Sequence, residues 1–234
     1  MKKFLAEKNA LLHTLKRFSI VLASLFFFVL LPFFSSCKKE LDYFDYVSEL
    51  RSNIFLAETE TFSLRIYAIQ KENPYASDGI PMEKSTRTEV YLVAPSGEKT
   101  YELYFTVSEK TYGGEMSFDN VKAEYYFSCS LDVSELLEIP CSIECDGTQT
   151  ELCAISVKNE ATLTPQNALN KLRTAESELF ESMTDKYGFS GEIYLRLLYE
   201  DFPYYYVGII DRNGKTNAFL LNAETGKILA KRES

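Results

Sequence analysis

Residues 192–231, EIYLRLLYEDFPYYYVGIIDRNGKTNAFLLNAETGKILAK, decide the fold of the last third of the chain. They hold four short runs rich in β-branched and aromatic residues, which predicts strands over 192–200, 204–211, 215–222 and 227–231. Asn213-Gly214 reads as a two-residue hairpin turn and sets Ile209 opposite Ala218 and Val207 opposite Leu220. Just upstream, Thr164-Pro165 supplies a helix cap and a proline at the first helical position. The stripe Ala168, Leu172, Ala175, Leu179 and Met183, widened by Leu169 and Phe180, then predicts one helix that Gly188 stops. Residues 165–234 are therefore expected to form a small α+β domain, one helix on an antiparallel sheet. At that size a domain buries only about 60% of its unfolded surface, so it needs a neighbour to dock on.

The succession of helix, strand, strand ending in Asp211-Arg212-Asn213-Gly214-Lys215, strand, then Asn222-Ala223-Glu224-Thr225-Gly226-Lys227-Ile228-Leu229 resembles the PepSY domain family. The likeness spans roughly Leu163 to Arg232. That family occurs in propeptides of secreted metallopeptidases and in envelope proteins. The resemblance implies a unit that binds or restrains a peptidase, and it brings no catalytic residues with it.

Before this unit, Lys158 to Thr164, KNEATLT, is polar and reads as a linker. Residues 46–157 are mainly β, short alternating segments divided by turn signals, the pattern of an antiparallel β-sandwich. Phe62, Leu64, Ile66 and Ala68 share one face of a segment over 60–69, and 88–93 and 99–107 flank a hairpin signal at Pro95-Ser96-Gly97. Between them, residues 73–87 form the longest irregular stretch, a loop of a length that usually carries function. The alternation Ala123, Tyr125, Phe127, Cys129, Leu131 and Val133 predicts a strand over 121–133. Residues 139–157 read as a hairpin around Asp146-Gly147, and a three-residue loop there opposes Cys145 to Gln149, Ile143 to Glu151 and Cys141 to Cys153. As a whole this first domain resembles an immunoglobulin-type sandwich, without the buried Trp of that family.

Four cysteines, Cys129, Cys141, Cys145 and Cys153, make an even set. Two positions four apart on a strand stand about 13 Å from each other, too far to bridge, which excludes Cys141 with Cys145. The hairpin register favours Cys141 with Cys153 and so Cys129 with Cys145, and four reduced core thiols are the alternative. Their spacing lacks the tight pair of a Cys-only zinc site.

At the other end, Lys2, Lys3, Lys8, Lys16 and Arg17 precede an apolar run, FSIVLASLFFFVLLPFF, that closes on Ser35-Ser36-Cys37. A basic region followed by an apolar one is the layout of a secretory signal. The finish resembles the bacterial lipoprotein signal family, an apolar residue, two small residues and a cysteine, with Phe34 in place of the usual Leu. The resemblance implies cleavage after residue 36 and a diacylglycerol on Cys37, with residues 37–45 a tether. An uncut membrane anchor is the alternative, since the run touches the lower limit of about 17 residues for a spanning helix. Under either, the body lies on the exported side of a membrane in the cell envelope.

Removing 36 residues, with their five cations and one acid, leaves 198 residues with 20 Lys and Arg against 33 Asp and Glu, a net charge of −13. Such a surface repels phosphate backbones, so nucleic acid is excluded as a partner. The only histidine, His13, lies in the removed segment. Histidine-activated nucleophiles and imidazole metal sites therefore cannot be built from the mature chain, and no cofactor is implied. Asp201, Asp211 and Asn213 do not match a calcium loop; turn chemistry accounts for the last two.

Three functions stand as expectations: a non-catalytic envelope lipoprotein that binds a protein partner, a glycan or cell-wall binder using Tyr75, Tyr112 or Tyr204 to Tyr206, and a dicarboxylate hydrolase. The anchor yields the first prediction. Labelled palmitate should enter the full chain, and Cys37→Ser should abolish the label and move the protein from the membrane to the soluble fraction. Label that survives the substitution would place the lipid elsewhere or nowhere.

Overall fold

A computed structural model describes residues 41–74 and 80–233. The export segment, Cys37 and Tyr75 lie outside the described residues. The described chain is mostly antiparallel β. Its strands are β1 (Val47–Glu58), β2 (Ser63–Glu72), β3 (Lys84–Val93), β4 (Glu102–Val107), β5 (Lys110–Glu115), β6 (Ser117–Asp119), β7 (Glu124–Cys129), β8 (Glu138–Cys145) and β9 (Thr148–Ser156). Two short helices follow, α1 (Pro165–Ala175) and α2 (Ser177–Ser182), then a small hairpin of β10 (Thr184–Asp185) and β11 (Gly188–Phe189). The chain ends in β12 (Gly191–Tyr199), β13 (Pro203–Asp211), β14 (Thr216–Asn222) and β15 (Ile228–Glu233).

One large sheet runs β15-β14-β13-β12-β1-β2-β3-β7-β6, and a branch leaves β1 through β9, β8, β4 and β5. Its pairings are antiparallel except β1 with β12, which is parallel and sets Val47 opposite Ile193 and Leu50 opposite Leu195. Strand β1 is thus shared. Its first half pairs with β12, while Phe55 and Leu56 pair with β9. Val47, Leu50 and Ile54 join a core with Leu169, Leu172, Phe180, Leu195, Val207 and Phe219. Phe55 and Ala57 join a second core with Leu64, Ile66, Val90, Leu103, Ile139 and Ile143. The two cores are therefore not divided at 158–164, since Val47, Leu50 and Ile54 lie before it and pack with residues after it, and Leu41–Ser234 form one compact unit.

The described part of the expected tether, 41–45, and the expected linker are both tied down. Tyr43 is buried with its ring edge-on to Phe180 at 4.9 Å and to Phe189 at 5.3 Å, and Asp42 caps the 3-10 turn Tyr43–Tyr46. The backbone N–H of Leu163 donates to the Ala223 carbonyl, and the buried Tyr205 hydroxyl donates to the Leu163 carbonyl at 2.7 Å.

Thr164 caps α1 as expected, its hydroxyl accepting from the Asn167 N–H, with Pro165 in the first turn. The helix then breaks at Glu176 instead of running on. The Thr174 hydroxyl donates back to the Asn170 carbonyl, a bond that bends helices. The break turns the Phe180 ring into the core and leaves Ala175 outside it. A buried Phe contributes roughly 1.5–3 kcal/mol, more than an alanine in the predicted stripe.

Turn lengths overturn both predicted hairpin registers. At residues 211–215 the turn holds three residues, because the Asp211 carboxylate accepts from the N–H groups of Asn213 and Lys215. Val207 therefore faces Phe219 and Ile209 faces Asn217. At 146–147 the turn holds two residues, both at positive φ, 52° for Asp146 and 72° for Gly147. Cys141 consequently pairs with Leu152 and Cys153 with Pro140. Pro95-Ser96-Gly97 lies in a crossover and not in a hairpin: β3 pairs with β2 and β7, and β4 with β5 and β8. The strand expected over 121–133 shrinks to β7, since Ala123 sits in a turn at φ 56°. The irregular stretch 73–87 shortens too, because β3 begins at Lys84.

A shared strand predicts shared unfolding. Leu195→Ala in one core and Ile66→Ala in the other should each cost about 2–5 kcal/mol and shift the midpoint of one common urea transition, followed by near-ultraviolet circular dichroism. Two separate transitions, each sensitive to one substitution only, would show that the cores melt independently.

Candidate functional site

A β-bulge between Arg51 and Asn53 resets the alternation of β1. The buried Asn53 at that point is fully used: its amide donates to the Ser134 and Leu136 carbonyls, and its oxygen accepts from Ile54 N–H and the Ser156 hydroxyl. Past the bulge, Ile54, Leu56 and Glu58 join Arg51 along a groove of about 540 Å³, closed on the far side by Leu198, Tyr199, Glu200 and Tyr204 from the β12–β13 turn. Its volume falls within the roughly 300–1,000 Å³ usual for ligand sites.

A row of aromatic rings crosses the neighbouring strands. The Arg51 guanidinium lies 4.2 Å from the centroid of Tyr67, Tyr67 is 5.6 Å from Tyr91, and Tyr91 is 5.2 Å from Tyr126. The register makes the row. Tyr67 stands opposite Ile54, and Tyr91 opposite Tyr126. Beside it, Tyr91, Tyr126, Phe118, Asp119, Lys122 and Glu124 line a second pocket of about 290 Å³. Glu124 borders both spaces.

The charges here are unevenly satisfied. Arg65 is bound to Glu124 at 2.5 Å, and Glu49 takes Arg196 at 2.7 Å and Lys71 at 3.7 Å. Arg51 has no ion pair among the described residues, and its Nε is buried without a hydrogen-bond partner. Burial pulls its pKa below the ordinary value and Arg196 adds to the pull, while Tyr67 and, more weakly, the Glu49 and Glu89 carboxylates oppose it. A guanidinium starts so high that it stays cationic. Burial, and then Glu89, which accepts from its hydroxyl, push Tyr91 up, so its ring is a neutral wall at any physiological pH.

The residues singled out from sequence are scattered. Among the expected tyrosines, Tyr204 reaches the groove, Tyr205 is wholly in the core, Tyr206 is half-buried, and Tyr112 stacks on Phe105 away from it. Among the described residues Cys129, Cys141, Cys145 and Cys153 are free thiols. The bridge between Cys141 and Cys153 is excluded by the register, which buries Cys141 at 3% exposure and turns Cys153 to the opposite, solvent-exposed face. Asp211 is a turn-capping carboxylate, and its backbone bonds hold its pKa low. Among the described residues no three His, Cys, Asp or Glu side chains gather to hold a metal, and no helix is long and apolar enough to cross a membrane.

The row Arg51, Tyr67, Tyr91 and Tyr126 escaped sequence reasoning. Each tyrosine follows or precedes an inward apolar residue, Ile66, Val90 and Tyr125, so its outward direction was readable. The order β2-β3-β7 that lines the rings up was not. Comparison with known proteins adds no further lead: no family profile, no curated protein and no solved structure matches this chain.

Burial pushes the Cys141 thiol from 9.0 up to about 12. The folded chain therefore holds a proton that the unfolded chain releases, and the stability present below pH 9 is lost as pH rises toward 12. Urea midpoints should fall across that window, and Cys141→Ala should make the fall shallower. An unchanged slope would assign the alkaline loss to other groups.

Proposed function

We propose that this chain is a lipid-anchored, non-catalytic binding protein of the bacterial cell envelope, in which the groove lined by Arg51, Tyr67 and Tyr204 receives a segment of a protein partner. The observation that carries the reading is the groove itself, a mixed polar and apolar trough in which the half-buried Arg51 guanidinium lies over Tyr67 and makes no ion pair among the described residues. Its volume is that of a ligand site, and Ile54, Leu56, Leu198 and Tyr204 supply the apolar share of a wall that is otherwise charged and polar. The basic and apolar leader ending in Ser35-Ser36-Cys37 supports the address.

Two finer assignments belong to the same reading. Residues 46–157 make an immunoglobulin-like sandwich, supported by a core enclosed between β2, β3 and β7 on one side and β4, β8 and β9 on the other. Residues 165–234 make a PepSY-like unit, supported by α1 sharing a core with β12 to β14. A peptidase or an assembly partner of the envelope is the occupant such a unit would meet. The tilt of the tyrosine rings, 59° between Tyr67 and Tyr91 and 52° between Tyr91 and Tyr126, weighs against the alternative of a flat sugar-stacking platform.

A photo-crosslinking amino acid placed at Tyr199, on the groove wall, should trap a discrete adduct on irradiation of cells that make the protein. The same residue at Leu137, 77% exposed and outside the groove lining, serves as the control and should trap none. Equal patterns from the two positions, or no adduct from Tyr199, would remove the groove from the function.

A further inference from the structure

We propose that the groove recognises the C-terminal tail of its partner, with the terminal carboxylate on Arg51, the last apolar side chain against Ile54, Leu56 and Leu198, and a basic side chain near the tail reaching Glu58 and Glu200. The inference rests on the binding reading above and adds the chemistry of the occupant.

Charge selects among occupants. Arg65 and Glu124 neutralise each other across 2.5 Å. What remains on the lining is one guanidinium at the floor and two exposed carboxylates, Glu58 and Glu200, on the walls. Arg51 is held face-on by Tyr67 and is partly withdrawn from water, with a buried Nε lacking an acceptor. A half-buried guanidinium with no ion pair is only partly hydrated, and an arriving carboxylate both adds a counter-charge and can accept two parallel N–H bonds. A polyanion such as an anionic lipid surface or a nucleic acid would satisfy Arg51 but meet Glu58, Glu200 and a chain of net charge −9. A neutral sugar would leave Arg51 as it is. A peptide terminus carries a single anionic charge at its end and can carry a cation close by, the pattern that the groove lining complements.

The apolar share of the lining sets the third requirement. Ile54 is buried at 3% exposure, and Leu56 and Leu198 are half-buried, so they form a floor and wall for one aliphatic or aromatic side chain beside the carboxylate. The aromatic row leading from Tyr67 to Tyr91 and Tyr126 continues from Arg51 and offers a track for the residues upstream.

The test uses the full chain in detergent and fluorescence anisotropy with a labelled pentapeptide that has a free carboxylate, an apolar last residue and a lysine third from the end. Amidating its terminus should weaken binding at least about tenfold, as should Arg51→Gln. Replacing the peptide's lysine by glutamate should weaken binding to the unaltered protein, and Glu200→Lys, at an exposed position, should reverse that preference. This charge reversal keeps the test decisive even where Arg51→Gln lowers the melting temperature. Equal affinity for the acid and the amide, or an unchanged preference in Glu200→Lys, would overturn the inference. A crosslinked adduct from Tyr199 together with no peptide binding would overturn it as well, and would leave the binding reading standing with an occupant of different chemistry.

Discussion

The parallel pairing of β1 with β12 is the constraint on which the rest of the molecule depends. Parallel strands need a long crossover, and here the crossover contains everything from β2 to β11. Val47 against Ile193 and Leu50 against Leu195 bury the seam, with the Ser48 hydroxyl donating to Glu192 at 2.6 Å and Arg196 held by Glu49 at 2.7 Å. Because one strand serves both halves, neither core can form its full sheet without the other. The C-terminal strands β12 to β15 thereby continue the sheet of the strands before them.

That same pairing places the groove. The bulge at Arg51 to Asn53 lets β1 leave β12 and turn toward β9, and the space between the departing strands is where Arg51, Ile54 and Leu56 face Leu198 and Tyr204. A site built at the divergence of two strands inherits residues from segments about 150 positions apart. Its walls combine the outer face of β1 and β2 with the turn between β12 and β13, and its charge balance follows from which carboxylates are already spent on Arg65 and Arg196.

Local features were legible in the sequence, and contacts between distant segments were not. The limits of β12, β13 and β14 and the Thr164 cap follow from residue types within a few positions. Registers failed where a turn had two chemically reasonable lengths. Asn213-Gly214 suggested two residues, but the Asp211 side chain captures two backbone N–H groups and closes a turn of three. Asp146-Gly147 suggested three, but both residues accept positive φ and close a turn of two. One residue of slip moves Cys153 from the core to the surface, which is why the disulfide reading failed with the register. Arg51 carried no local mark at all, since its importance comes from Tyr67 on the next strand and from the bulge beside it.

The two ends of the large sheet differ from its middle. At one end β6 is only three residues long, and at the other β15 presents Lys231, Arg232 and Glu233 on an exposed strand. An unpaired sheet edge risks lengthening from molecule to molecule into fibres. Here a stub at one end of the β6-to-β15 path and a charged strand at the other give an incoming strand little to zip onto.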